Sequence, residues 1–444
     1  MNELARSRKP VNTHFYLAVI IGSLLLMLPA FYNGYPLLTG DSAVYLKFGF
    51  KALTPFEKSI TYGMFVWLGS LNGLSLWPVI FFQAYLTSYL IISVYKQFTF
   101  SGFLLRGSSL LLLLLLSGLP WVVCQLQPDI FIAIALLAAT LLIMGSNTKA
   151  NTLLLYFIFF GAIATHVAQV PLFVFTLCLL FLFRKTFSNT HTSINITTRI
   201  SMLVLLSIAG TAAMGPVLLR SKQVYILSSL LQHGTLKQYL DDNCGQHYYK
   251  LCKYKDSLPQ NAHYFLWDDN SPLNKEGGLG GLNNELNDII HSSLSSGHYL
   301  IPYLKSTFSA SRKQLCYYTV ADLPIGNSNA DADNSLAQYL PHELHSFTYS
   351  RQYENKLSTS ILISNYIGMV ILLFSSLIIV FSLLKKNITS EGKMLLLFSV
   401  ILILVNACEC GVFSAVTGRY GSRVLWLVSL CAIISLQPKR KSVN

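Results

Sequence analysis

The sequence predicts an all-α polytopic membrane protein of about ten transmembrane helices, with interfacial helices and a small mixed extracytoplasmic loop domain. Three observations lead there. The 444-residue chain is 53% hydrophobic and 11% charged, where a soluble chain carries about 25% charged residues. The charges lie between long uncharged runs; Leu110 to Pro128 and Thr359 to Leu384 hold none. Basic residues mark the ends of those runs: Arg6, Arg8 and Lys9 before the first, Lys385 and Lys386 after another, Lys439, Arg440 and Lys441 after the last. That placement explains the formal charge of +13 as a positive-inside signature and argues against a nucleic-acid partner.

Taken in order, the expected spans are 15–33, 76–95, 103–123, 129–145, 152–166, 168–183, 200–219, 359–384, 393–412 and 423–437. The first has basic residues before it and no small-residue cleavage site after it, so it reads as a retained helix with a cytoplasmic N-terminus. The stretch Thr152 to Phe183 is one overlong helix or a short pair turning near His166, Gln169 and Pro171. Parity decides for the pair. With it, the basic stretches 96–106, 146–151, 184–199, 385–393 and 438–441 all fall on the cytoplasmic side.

The domains then run 1–219, an N-terminal membrane module whose first outside loop spans 34–75; 220–358, an extracytoplasmic loop domain; and 359–444, the C-terminal membrane helices. Both termini are expected in the cytoplasm, and the large loop in the periplasm or outside the cell. The loop holds Trp267, many tyrosines, and Cys244, Cys252 and Cys316. Outside the cytoplasm a disulfide persists, and proximity favours Cys244 with Cys252. The third cysteine is free or meets Cys408 or Cys410. A zinc site is a poor reading, for no second ligand pair stands at the right spacing.

Function in such a chain is sought where polar groups sit at membrane depth or at its rim. Asp41, in Thr39-Gly40-Asp41-Ser42-Ala43-Val44-Tyr45, follows the first span closely. It reads as a general base for an acceptor hydroxyl or amine, or else the segment is an N-cap, with Thr39 or Asp41 opening a short amphipathic helix, Ser42–Leu53. Lys58, in Glu57-Lys58-Ser59-Ile60-Thr61-Tyr62-Gly63, suits a phosphate or Asp41; the plainer reading is a snorkelling interfacial lysine. Gln125, Gln127 and Asp129 form a polar turn on the same side, where Asp129 is again either functional or a cap. His166 and Gln169 emerge on that side too, and a lone histidine is more often structural. Arg419 and Arg423, in Gly418-Arg419-Tyr420-Gly421-Ser422-Arg423, share one helix face at an outer rim where basic residues are disfavoured. Their planar forks suit a phosphate or a carboxylate.

Together these residues suggest a transferase whose leaving group is an anionic lipid phosphate. The pattern resembles the GT-C-type integral membrane glycosyltransferases that use polyprenyl-phosphate sugars, such as the protein O-mannosyltransferases and the lipid A aminoarabinose transferases. Gly40-Asp41-Ser42-Ala43-Val44-Tyr45 looks like that family's acidic motif in the first outside loop, with Ser42 where a second acidic residue is often found. Lys58-Ser59-Ile60-Thr61-Tyr62-Gly63 is similar to its basic-Pro-x-x-Tyr segment, lysine replacing arginine and serine replacing proline. Arg419-Tyr420 before the final span has a counterpart in many members. The likeness covers roughly residues 10–220 in layout and the terminal helices.

The resemblance implies an inverting glycosyltransferase in the cytoplasmic (inner) membrane, moving a sugar from a polyprenyl-phosphate donor to a lipid or glycan acceptor on the extracytoplasmic face. Asp41 is the expected base; Tyr45, Lys58, Tyr62, Gln127, Asp129, His166, Arg419, Tyr420 and Arg423 are the expected binding residues. The lipid-linked sugar is the expected substrate, with membrane lipids around it. A lone aspartate makes a poor divalent-ion site, so the sequence leaves a divalent metal open without supporting it and points to no certain cofactor. Competing readings are a polysaccharide polymerase or ligase, for which Arg312 and Arg351 are the candidate loop arginines, a transporter or flippase, and a membrane scaffold. The sparsely charged spans and rim-placed polar groups speak against a transporter.

Overall fold

The computed structural model describes residues 13–53, 58–98, 103–145, 147–184, 193–213, 215–278, 282–323 and 330–436. The flanking cations Arg6, Arg8, Lys9, Lys439, Arg440 and Lys441 lie outside the described residues. Those described form helices and no named strand; a single parallel bridge pairs Leu37 with Gln125. The loop expected to be mixed is therefore helical where it is described.

The first half runs α1 (Thr13–Leu26), α2 (Leu28–Asn33), α3 (Ser42–Lys51), α4 (Ile60–Gly69), α5 (Trp77–Phe98), α6 (Phe103–Leu116), α7 (Leu119–Cys124), α8 (Ile130–Met144), α9 (Lys149–Ala164), α10 (Gln169–Leu182) and α11 (Ser193–Ala213). Then come α12 (Gly215–Gln232), α13 (Thr235–Asn243), α14 (Ala262–Trp267), α15 (Pro272–Lys275), α16 (Asn283–Ser295), α17 (Gly297–Cys316), α18 (Ala330–Tyr339) and α19 (Pro341–Thr348). The chain closes with α20 (Ser358–Leu384), α21 (Ser390–Phe413) and α22 (Gly418–Ser435).

Four stretches are long and apolar enough to cross a membrane: Thr13–Asn33, Trp77–Phe98, Ser358–Leu384 and Ser390–Phe413. Shorter apolar helices accompany them, including Ile130–Met144, Lys149–Ala164 and Gln169–Leu182. Burial separates their roles. In α8 every residue from Ile130 to Ile143 is buried, so an all-round apolar helix forms the centre of the bundle. In α20, Leu362, Tyr366, Leu373, Phe374, Leu377 and Phe381 are exposed along one continuous apolar surface. Water would penalise so large a patch, whereas lipid solvates it.

The stretch 152–183 does break in two, at Thr165–Ala168 between α9 and α10. The break stands at the Asp129 end of α8: Ser59 Oγ donates to the Ala164 carbonyl at 2.6 Å, and Gln169 Nε2 to the Pro128 carbonyl at 3.0 Å. The opposite end of α8 is tied to the start of α11, where Arg199 donates to the carbonyls of Leu142, Ile143 and Gly145 at 3.1, 3.1 and 3.2 Å. The α9–α10 turn and the α11 start therefore occupy opposite ends of the bundle.

The segment 220–358 divides. A separate apolar cluster gathers Leu227, Leu236, Leu240, Phe265, Leu286, Ile289 and Tyr303 from α12 to α17, with the Cys244–Cys252 disulfide at its edge. Cys316 and Cys408 are free and exposed, and Cys410 is free and buried. Val320, Leu336, Leu340, Phe347 and Leu357 instead join the core of the membrane helices. This later part clamps the segment 34–76. Gln352 bonds both to the Leu38 nitrogen (3.1 Å) and to its carbonyl (2.6 Å), and the buried Glu343 accepts from Tyr35, Ser75 and the Leu76 nitrogen.

Candidate functional site

The site begins with a turn held from three sides. The Leu37 nitrogen donates to the Cys124 carbonyl (3.1 Å), and the Leu126 nitrogen to the Leu37 carbonyl (2.8 Å), which fixes the α2–α3 connection against the α7–α8 turn. Ser42 Oγ donates to the Leu126 carbonyl at 2.9 Å and accepts from the Thr39 nitrogen at 2.8 Å. Asp41 therefore stands at the N-cap position of α3, yet its side chain makes no capping bond. The carboxylate turns instead to Lys58 Nζ, 2.5 Å from Oδ1, and to the Arg419 guanidinium, 3.1 Å from Oδ2.

Lys58 reaches Asp41 because α3 and α4 touch backbone to backbone. Gly63 has its Cα facing Gly49 so closely that a Cβ there would come 3.0 Å from the Gly49 nitrogen, and a Cβ on Gly49 would meet the Gly63 carbonyl. Ser59 caps α4 by accepting from the Thr61 nitrogen. The Lys58 ammonium lies 5.3 Å from the centre of the Tyr45 ring, which walls the pair on one side. Tyr62 packs edge-on against Tyr45 at 4.8 Å and donates its hydroxyl to Gln83 at 2.6 Å. Both tyrosines are buried, so they support the site from behind; Tyr62, expected to bind substrate, has its polar atom committed to Gln83.

Asp129 repeats the pattern of Asp41. It occupies the N-cap position of α8 without a capping bond, and pairs with Arg423 at 3.1 Å and Arg419 Nε at 3.3 Å. Arg423 is buried and also donates to Asn406 Oδ1 (3.0 and 2.7 Å) and to Cys410 Sγ (3.4 Å) on α21. Tyr420 lies between the arginines, its ring centre 5.2 Å from the Arg419 and 4.6 Å from the Arg423 guanidinium carbon. The start of α22 is fixed in turn by Gln314, which exchanges two bonds with Thr417 at 2.8 and 3.0 Å.

Four stretches widely separated in sequence thus join in one network, Lys58–Asp41–Arg419–Asp129–Arg423. Three cations face two carboxylates, leaving one positive charge in excess. Burial by itself would raise the Asp41 carboxyl. The Lys58 ammonium and the Arg419 guanidinium outweigh it and hold that carboxyl well below the usual carboxylate range. The His166 imidazole is pushed down to about 4 by burial first and by Arg423 second, against the pull of Asp129 and Asp41. Its Nδ1 accepts from the Ala168 nitrogen at 3.1 Å, so the neutral ring carries its proton on Nε2.

No family model, no curated protein and no solved structure matches this chain. What the geometry can do is therefore read from the residues themselves.

The expected residues divide by exposure. The Asp41 side chain is 32% exposed, Arg419 20% and Lys58 14%, so these three form the accessible part of the network. Asp129 and Arg423, at 5% and 6%, lie beneath them. Gln127 donates to Gln125 at 2.5 Å, and its own side-chain Oε1 is buried with no hydrogen-bond partner among the described residues. Arg351 stacks on Tyr32 and Arg312 is exposed on α17, so neither loop arginine joins the network. Among the described residues no three His, Cys, Asp or Glu side chains gather as metal ligands.

Asn406, Glu409 and Cys410 were not expected. Asn406 and Cys410 orient Arg423, and Glu409 has a buried Oε2 with no hydrogen-bond partner among the described residues. Their signal was a cluster of polar residues in the last turns of a helix that carries no charge from Met394 to Cys408.

Proposed function

We propose that this chain is a glycosyltransferase of the membrane interface, moving a sugar from a polyprenyl-phosphate donor to an acceptor on the extracytoplasmic face of the cytoplasmic membrane. The observation that carries the proposal is the accessible triad Asp41, Lys58 and Arg419. One carboxylate stands between two cations over a buried ion pair, at the end of an apolar helix bundle.

In this reading the donor phosphate takes Lys58 and Arg419 as its counter-ions. The acceptor hydroxyl or amine attacks the anomeric carbon from the opposite side, and the bond between that carbon and the phosphate oxygen breaks. The phosphate leaves on its lipid with the bonding electrons, and Asp41 receives the acceptor proton. A single displacement inverts the anomeric centre. The ligand-free arrangement suits this order of events. While both cations hold Asp41 its carboxylate is a weak base; a phosphate that draws them away restores its proton affinity. Asp129, itself held by Arg423, holds Arg419 in place from below.

The topology we propose with it has about ten spans, both termini in the cytoplasm and the triad on the outer side. It is supported by the end-to-end separation of the α9–α10 turn from Arg199, which belongs to a basic stretch. The test is direct: purified protein in lipid nanodiscs is given a polyprenyl-phosphate sugar and assayed for release of polyprenyl phosphate. Release that needs active protein supports the reading. Its absence with every polyprenyl-phosphate sugar, in protein whose thermal transition is also unmoved by polyprenyl phosphate, contradicts it.

A further inference from the structure

Helix α17, Gly297–Cys316, has two unlike sides. Tyr299, Tyr303, Thr307, Ser311 and Gln314 face inward and are buried. Outward, Ile301, Leu304 and Phe308 form an apolar stripe at helical spacing, with Phe308 73% exposed. Lys305, Arg312 and Lys313 flank one edge of that stripe, are exposed, and have no ion-pair partner among the described residues.

The inward side says where this helix lies. Tyr303 shares Ser229 with the Val412 carbonyl, His233 bridges Ser306 and the Gly411 carbonyl at 2.9 Å each, and Gln314 bonds Thr417. Ser311 packs on Gly411 so tightly that a Cβ on that glycine would come 2.5 Å from the Ser311 nitrogen. Residues spread over about three turns of α17 are thus joined to the short stretch 411–417. The helix packs closely against α21, which is long and apolar enough to span a membrane and itself exposes Leu404 and Phe413.

We infer that α17 lies in the plane of the membrane, its Ile301–Leu304–Phe308 stripe in the acyl boundary and Lys305, Arg312 and Lys313 against anionic lipid headgroups. Two features favour this occupant. The stripe belongs to a helix packed against one that is apolar enough to span a membrane, and its flanking cations complement phosphate. The consequence for the site is mechanical. Gln314 holds Thr417, two residues before Arg419, so lipid contact along α17 braces the start of α22.

The test uses the full-length chain with Cys178, Cys316 and Cys408 replaced by serine and a nitroxide at Ile301→Cys or Phe308→Cys. The protein sits in nanodiscs containing phosphatidylglycerol. Leu373→Cys on α20 is the lipid-exposed reference and Tyr248→Cys the aqueous one. Oxygen access with exclusion of a nickel chelate, as at position 373, is expected. Nickel access as at position 248 overturns the inference, and so does exclusion of both reagents, which means a protein cover such as a second copy. In parallel, replacing phosphatidylcholine with phosphatidylglycerol is expected to raise the thermal transition of the wild type by several degrees, and to do so less in Lys305→Gln/Arg312→Gln. An equal response in both overturns the headgroup contact, and the labelled variants keep their cations should that double variant fail to fold.

Discussion

Asp41 and Arg419 are 378 positions apart in the chain and meet at 3.1 Å, carboxylate to guanidinium. Arg419 also lies 3.3 Å from Asp129, so one guanidinium joins the start of α3 to the start of α8. The network is a structural tie as well as a chemical one, and the two roles separate by depth.

The lower pair carries the structure. Removing the Arg423 guanidinium leaves Asp129 buried with one cation fewer, and breaking a buried pair costs about 3–5 kcal/mol. Arg423→Met is therefore expected to lower the thermal transition strongly, and Asp129→Asn to lower it too. The double variant is expected to lose less than the sum of the singles, with a coupling of about 0.5–3 kcal/mol. Thermal unfolding in a fixed detergent or nanodisc measures the cycle; additive losses contradict the pairing.

Backbone contact between α3 and α4 sets the Asp41–Lys58 geometry. A methyl at position 49 would press on the Gly63 carbonyl, where no flexible side chain can yield. Gly49→Ala is expected to destabilise by about 1–3 kcal/mol through overpacking, and to separate Lys58 from Asp41. A variant as stable as the wild type, measured by thermal unfolding, would contradict the close approach. Gly40→Ala is the control, for a Cβ there meets nothing within 4 Å.

The helical, membrane-embedded class was legible because composition and charge-free runs act over the whole chain. The break in 152–183 was legible through charge parity, since Arg199 and its neighbours cannot change sides freely. The four polar motifs were visible one by one, but whether Asp41 and Asp129 cap helices or bind cations was not. Local sequence leaves both readings open at each position; the decision comes from Lys58, Arg419 and Arg423, which only the fold brings near. Glu343 and Gln352 escaped notice for the same reason. Each is an ordinary loop residue in sequence and a long-range clamp in space. Tyr62 looked like a ligand residue because its motif hid the partner, Gln83, on the next helix.

His166 gives the site a pH signature. Its folded-state pKa of about 4 lies below the ordinary histidine value of about 6.5. The neutral ring's contribution to stability is thus fully present above pH ~6.5 and is lost as pH falls toward 4. Asp41 is depressed as well, so its contribution disappears only below the usual carboxylate range. Comparing thermal transitions from pH 7.5 to 4.5, His166→Gln is expected to lose less stability than the wild type over this window. Parallel curves contradict a buried neutral imidazole.

The Cys244–Cys252 disulfide reports on the side of the membrane. Chain taken directly from cells under acid quench is expected to leave both sulfurs unreactive toward a maleimide until a reductant is added. Free thiols at both positions would argue for a cytoplasmic loop and against the proposed topology.

The most direct measurement compares the wild type with Asp41→Asn in two assays, binding of polyprenyl phosphate and sugar transfer from the corresponding donor. Freed from their carboxylate, Lys58 and Arg419 are expected to bind the lipid phosphate at least as tightly in Asp41→Asn, seen as an equal or larger thermal shift. Transfer is expected to fall at least about 100-fold as the proton acceptor is lost. Wild-type transfer by a well-folded Asp41→Asn protein would contradict the assignment of Asp41 as the base.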